Sequence, residues 1–279
     1  MNCDISQFMS VLVLGKGFVS DHLNYSKFTD KITTYEDICK IIDIYRPDTI
    51  INCIGKTGRP NIDQCELQKK ETFFLNTTIP SLISKACLEH SIHFINIGSG
   101  CIYYGESPNL LDNKDTGWKE TDFANPISYY SKSKYASDLI LGDLDNTTVL
   151  RIRMPVSYIN TERNFINKIS KYDKLINILN SITFMEDFID CIEWTINNKI
   201  TGIYNVVNPQ PLTAVDVIEE YNKYKKHNYT IITESELDNL VLAKRSNCFL
   251  NTEKLNKSGF FMTDSKIALE KCIKKYFGL

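Results

Sequence analysis

Val11-Leu12-Val13-Leu14-Gly15-Lys16-Gly17-Phe18-Val19-Ser20 is the stretch on which the fold assignment turns. The short, continuous apolar run is that of a strand buried on both faces of a parallel sheet. Glycines directly after it let the backbone turn tightly and bring amide groups close to a pyrophosphate at a helix start. Ser20 stands where a third glycine is usual, which sets the helix slightly further from the strand. Lys16, inside the turn, either neutralises a 2'-phosphate, which favours NADPH, or is a solvated loop lysine.

Outward from this turn the chain alternates. Tyr35 to Tyr45 carries Ile38, Ile41, Ile42 and Tyr45 at helical spacing, and Arg46-Pro47-Asp48 ends that helix. Thr49-Ile50-Ile51-Asn52-Cys53-Ile54-Gly55 reads as the next buried strand. A polar loop, Gly55-Lys56-Thr57-Gly58-Arg59-Pro60-Asn61, leads into a helix that contains Asn76 and continues to His90. Residues 92–97 form a further strand, with His93 a packed or surface residue, and it ends at Gly98-Ser99-Gly100-Cys101. Residues 147–153 form another, and Met154-Pro155 turns the chain out of it. No strand ends in a clear Asp or Glu about twenty residues after the glycine turn, where a ribose-binding acid is sought.

This alternation calls for a parallel sheet with helices on both faces. Beyond residue 153 it loosens. Residues 186–196 read as a helix, 202–207 as a strand, and 212–224 and 264–276 as helices. The expected fold class is α/β: a Rossmann-like doubly wound parallel sheet over 1–153, with a smaller carboxyl-terminal lobe over 154–279. That lobe is expected to bind mainly substrate and to send segments back to the sheet.

Among the 279 residues 43% are apolar and 24% charged, as in an ordinary globular protein. A net charge of -2 gives no electrostatic reason to expect nucleic acid or an anionic membrane as partner. Nine cysteines are scattered without a CxxC pair or a Cys/His spacing suited to zinc, so no metal is expected. Unpaired thiols fit a reducing compartment. Residues 1–7 lack the basic and apolar regions of a signal peptide, so a cytoplasmic location is expected.

The chemistry centres on Tyr130-Ser131-Lys132-Ser133-Lys134. A tyrosine followed four positions later by a lysine places both side chains on one helix face. There the ammonium can lower the phenol from its ordinary value of about 10. A hydroxyl at a separate strand end, that of Ser99, completes a site that donates a proton to a carbonyl being reduced by hydride. Tyr and Lys at this spacing are also common on any exposed helix.

Together the glycine turn, Ser99 and the Tyr130–Lys134 pair resemble extended short-chain dehydrogenase/reductases of the dTDP-4-dehydrorhamnose reductase branch. The resemblance is nearest to bifunctional nucleotide-rhamnose synthase/epimerase-reductases. It runs through 55–61, Gly100-Cys101-Ile102, 130–134, Arg151-Ile152-Arg153-Met154-Pro155, Arg163-Asn164-Phe165-Ile166-Asn167-Lys168-Ile169-Ser170 and Arg245-Ser246-Asn247, and covers most of the chain in order.

It implies that Tyr130 is the reductase acid, Lys134 its activator and a ribose ligand, and Ser99 the hydroxyl that holds the substrate oxygen. It assigns Cys101 and Lys168 to epimerisation at C3 and C5 of a 4-keto sugar. Implied cofactor contacts are Gly15, Lys16, Gly17, Phe18, Val19, Cys53, Gly55, Tyr130, Lys134 and Met154. Implied substrate contacts are Arg59, Asn61, Asn76, Asn164 and Arg245. The expected cofactor is NADPH, with NADH the alternative, and the expected substrate is a UDP-linked 4-keto-6-deoxyhexose. The resemblance also implies a homodimer. Two other functions fit the same residues: a 4-reductase only, and a non-catalytic regulatory subunit resembling the methionine adenosyltransferase beta subunit.

Overall fold

The computed structural model describes residues 9–279; residues 1–7, read above for a leader, and Cys3 among them lie outside the described residues. Six strands form the central sheet: β1 (Val11–Leu14), β2 (Ser26–Phe28), β3 (Thr49–Asn52), β4 (His93–Ser99), β5 (Thr147–Ile152) and β6 (Gly202–Asn205). Their order is β2-β1-β3-β4-β5-β6, and every neighbouring pair is parallel. The order reverses between β1 and β3, and ligands of doubly wound sheets bind in the crevice at such a point, outside the carboxyl ends of the strands.

Period-two alternation explains why the strands read as solid apolar runs. Val11 and Val13 join Ile51, Ile95 and Leu150 on one face, under Phe188, Cys191 and Ile192 of the Met185–Asn198 helix. Leu12 and Leu14 join Ile50 and Phe94 on the other, under the Tyr35–Tyr45 and Ile79–Glu89 helices. Each such aliphatic side chain contributes about 1.5–3 kcal/mol by leaving water.

β2 has no such pattern. Ser26-Lys27-Phe28 is an edge strand, exposed at Ser26 and Lys27, and pairs only with β1, so nothing in its apolar spacing announces it. The third strand is also shorter than expected, which leaves Cys53, Ile54 and Gly55 in the loop that follows it. Asn76 lies in a π turn, Phe74–Thr78, and not in regular helix.

After β5 the chain leaves the sheet through Met154, whose φ of 40° is left-handed. The lobe then builds its own core from Val156, Ile166, Phe184, Val217, Ile218, Leu269 and Ile273. The Met185–Asn198 helix and β6 return to the sheet layer. A fourth cluster, including Tyr103, Trp118, Val207, Cys248 and Leu250, forms beside the end of β4. Among the described residues the eight cysteines are free, no helix is long and apolar enough to cross a membrane, and no His/Cys/Asp/Glu group could hold a metal ion.

Candidate active site

β4 delivers Ser99 straight into a single 3-10 turn, Gly100–Ile102, so Ser99 and Cys101 share one strand end. The Ser99 hydroxyl accepts from the Cys101 amide at 3.2 Å, which fixes the turn. Beside it runs the Tyr129–Leu141 helix, started by Ser128, whose hydroxyl accepts from the Ser131 amide at 3.1 Å. That helix brings the Tyr130 hydroxyl to the Ser99 hydroxyl. Lys134, one turn further on, is buried and donates from Nζ to the Ile97 carbonyl at 2.7 Å. Ser99, Cys101, Tyr130 and Lys134 therefore converge at the carboxyl end of β4.

Electrostatics overturn one expectation about this pair. Burial, with the neighbouring Cys101 thiol, pushes the Tyr130 phenol well above its ordinary value. The Ser99 hydroxyl bond opposes this rise without cancelling it. Burial also holds the Lys134 amine below its ordinary range, against the opposing Asp138 carboxylate. Tyr130 thus keeps its proton at neutral pH, the state a proton donor needs.

The cofactor side is set by the glycine turn. Gly15 and Gly17 have φ of 96° and 155°, and a Cβ on Gly15 would stand 2.8 Å from Ile54 Cγ1 and 3.0 Å from the Ile54 amide nitrogen. Only glycine lets the turn press against the loop after β3. A Cβ on Gly17 would meet the Arg163 guanidinium, which reaches over from the lobe. This cradle at the sheet's switch point, with Lys134 near the end of β4, fits a nicotinamide dinucleotide.

Phe18 is buried in the core, so only its backbone can serve a ligand. Val19 and Gly17 are partly buried, and Lys16 and Gly55 are exposed. Ser20 is buried and donates to the Gly17 carbonyl at 3.1 Å. Burial pushes the Cys53 thiol up to about 12, although Lys134 opposes it. Met154 packs against the lobe core.

Several implied substrate contacts are committed elsewhere. Asn76 is fully buried, accepts from the Lys56 amide at 2.7 Å, and donates to the Lys56 carbonyl and to Ser133, both at 3.0 Å. It pins the loop after β3 to the Tyr129–Leu141 helix and has no donor left for a ligand. Asn164 is likewise buried and capped onto Ser157, Ile159 and Ile166. Asn61 accepts from the Asp63 amide at 2.8 Å, two residues before a short helix, Asp63–Leu67. Arg245 pairs with Asp63 at 2.8 Å. Arg59 remains on the exposed loop.

Lys168 lies on the Phe165–Ile169 helix, partly buried. Burial, and then the Arg163 charge, hold its amine below the ordinary lysine range. The cation at hydrogen-bond distance from the Cys101 sulfur is Arg153, at 3.6 Å, and not Lys168. Sequence reasoning gave no role to Arg153, nor to the buried pair in which Arg151 Nε donates to Asp138 at 2.9 Å. The signal available was the position of Arg151 in an apolar strand and of Arg153 directly after it, since a charge is kept there only with partners.

The RmlD substrate binding domain family matches residues 17–277. A bifunctional dTDP-4-dehydrorhamnose 3,5-epimerase/dTDP-4-dehydrorhamnose reductase of Arabidopsis thaliana is 32% identical over 247 residues, covering 87% of this chain and 82% of that one. The crystal structure of the L780 UDP-rhamnose synthase from Acanthamoeba polyphaga mimivirus superposes with a TM-score of 0.85 at 23% identity, over 95% of this chain and 99% of the other. A dTDP-4-dehydrorhamnose reductase from Bacillus anthracis, solved in complex with NADP, gives a TM-score of 0.81 at 19% identity, over 96% and 98%. With the match running almost from the glycine turn to the last helix, the chain belongs to the RmlD substrate binding domain family.

Proposed function

We propose that this chain is an NADPH-dependent 3,5-epimerase/4-reductase that converts UDP-4-keto-6-deoxy-D-glucose to UDP-L-rhamnose. The observation that carries the reading is the convergence of Ser99, Cys101, Tyr130 and Lys134 at one strand end, beside the glycine cradle. The named relatives support it: reductase is the activity in two of the three names, and epimerase accompanies it in one. Cofactor lies on the 1–153 half, and the 154–279 lobe holds most of the sugar nucleotide.

Bound NADPH supplies the hydride, which no side chain can provide. Tyr130, kept protonated by its surroundings, donates to the C4 oxygen as that oxygen becomes negative. The Ser99 hydroxyl bonds the same oxygen and orients it. Lys134, anchored on Ile97, would hold the hydroxyls of the cofactor ribose.

Before reduction, the C4 ketone makes the protons on C3 and C5 acidic enough to leave through an enolate. Inversion then needs a base on one face and a proton donor on the other. Cys101 and Lys168 fill these two positions, and an amine already held low by burial exchanges its proton more readily than an ordinary lysine.

Incubation with UDP-4-keto-6-deoxyglucose and NADPH in deuterated water, read by NMR, tests this. The expected product is a rhamnose nucleotide with deuterium at C3 and C5, and Cys101→Ala and Lys168→Ala lose that exchange. Deuterium at neither carbon would sink the epimerase half and leave a 4-reductase. No NADPH oxidation with any 4-keto sugar nucleotide would point instead to a binding subunit.

A further inference from the structure

Arg153 is a buried cation without a carboxylate partner. Its side chain is among the largest fully buried ones, and among the described residues no acid pairs with it. Its donors go to the Asn180 side-chain oxygen, to the Ser246 carbonyl at 2.7 Å and hydroxyl at 3.1 Å, and to the Cys101 sulfur at 3.6 Å, while Nε has no partner. Burial opposes its charge, and what could offset burial is a negative charge formed on Cys248, Cys101 or Tyr130. The space is made by a glycine, since a Cβ on Gly100 would stand 2.7 Å from Arg153 Cγ. An unneutralised guanidinium in such a place is expensive unless an anion forms beside it.

We infer that Arg153 is a positioning residue that holds the Cys101 sulfur and stabilises the negative charge it carries during proton transfer. The inference rests on the epimerase reading for its use, though not for its geometry. When the sulfur takes a proton from the carbon beside the ketone, the C–H bond breaks, an S–H bond forms and the electron pair enters the enolate. When it donates, the S–H bond breaks and a C–H bond forms. In either direction the sulfur is anionic on one side of the step and neutral on the other, and the guanidinium favours the anionic side. Asn180, Ser246 and the Gly100 gap fix where that charge sits.

Iodoacetamide labelling of Cys101 at one neutral pH, followed by peptide mass spectrometry, tests this on the full chain. Arg153→Met should slow labelling by about tenfold or more, the scale of a charge-assisted hydrogen bond. Arg153→Lys should keep part of the rate, and millimolar guanidinium should restore part of it to Arg153→Met. Asn180→Asp guards against a folding defect, because it supplies a carboxylate to Arg153 with almost no change of shape and should also slow labelling. Wild-type labelling rates in either variant, once folded by circular dichroism, overturn the inference. If Cys101→Ala meanwhile loses deuterium exchange, the epimerase reading survives that failure. Slowed labelling alongside unchanged exchange in Cys101→Ala keeps the hold of Arg153 on the sulfur but overturns both its part in proton transfer and the epimerase reading.

Discussion

Lys168 works under two pressures, burial first and the Arg163 guanidinium second, and both weaken its hold on a proton. Because its folded value is lowered, the unfolded chain binds that proton more tightly, and stability rises as pH climbs through the interval between the two values. Arg163→Gln removes one pressure at an exposed position. The limb of the deuterium-exchange pH profile that Lys168 governs should then move to higher pH. A limb that stays in place would show that Arg163 does not act on the amine. At this scale the sequence was legible in the grouping of Ser99, Tyr130 and Lys134 near one strand end, with Cys101 added by the family resemblance. It was not legible where burial decides: Asn76 and Asn164 look like ligands because they are polar, yet both are used up inside the fold.

Between elements, the decisive contact joins the Tyr129–Leu141 helix to β5 through Asp138 and Arg151, whose side chains are 0% and 3% exposed. Arg151 also donates to the Tyr103 hydroxyl at 2.9 Å. Asp138→Asn leaves a buried guanidinium without its counter-charge, and urea unfolding should report a loss of about 3–5 kcal/mol. A loss below about 1 kcal/mol, the scale of an exposed pair, would mean that water relieves Arg151. Neither partner stands out by spacing, since they are 13 residues apart on different elements. The strands β1, β3, β4 and β5 were legible because both sheet faces are covered and the runs are therefore solidly apolar. β2 was not, because an exposed edge makes no demand on residue type.

Across the whole molecule, Arg245 ties the 243–247 segment to the loop after β3 through Asp63. This pair is partly open to water, so Arg245→Ala should change stability by under about 1 kcal/mol. It should nevertheless raise KM for the sugar nucleotide, because the segment that carries Ser246 and the loop that carries Arg59 lose their common anchor. An unchanged KM would separate this link from the site. The placing of β6 has a consequence for synthesis. The strand that covers the β5 edge comes from residues 202–205, after much of the lobe. A nascent chain that has emerged only through β5 presents that strand's backbone N–H and C=O groups unpaired, a template for other chains. The edge is protected only once about fifty further residues leave the ribosome, so vectorial synthesis makes the lobe a prerequisite of the finished sheet.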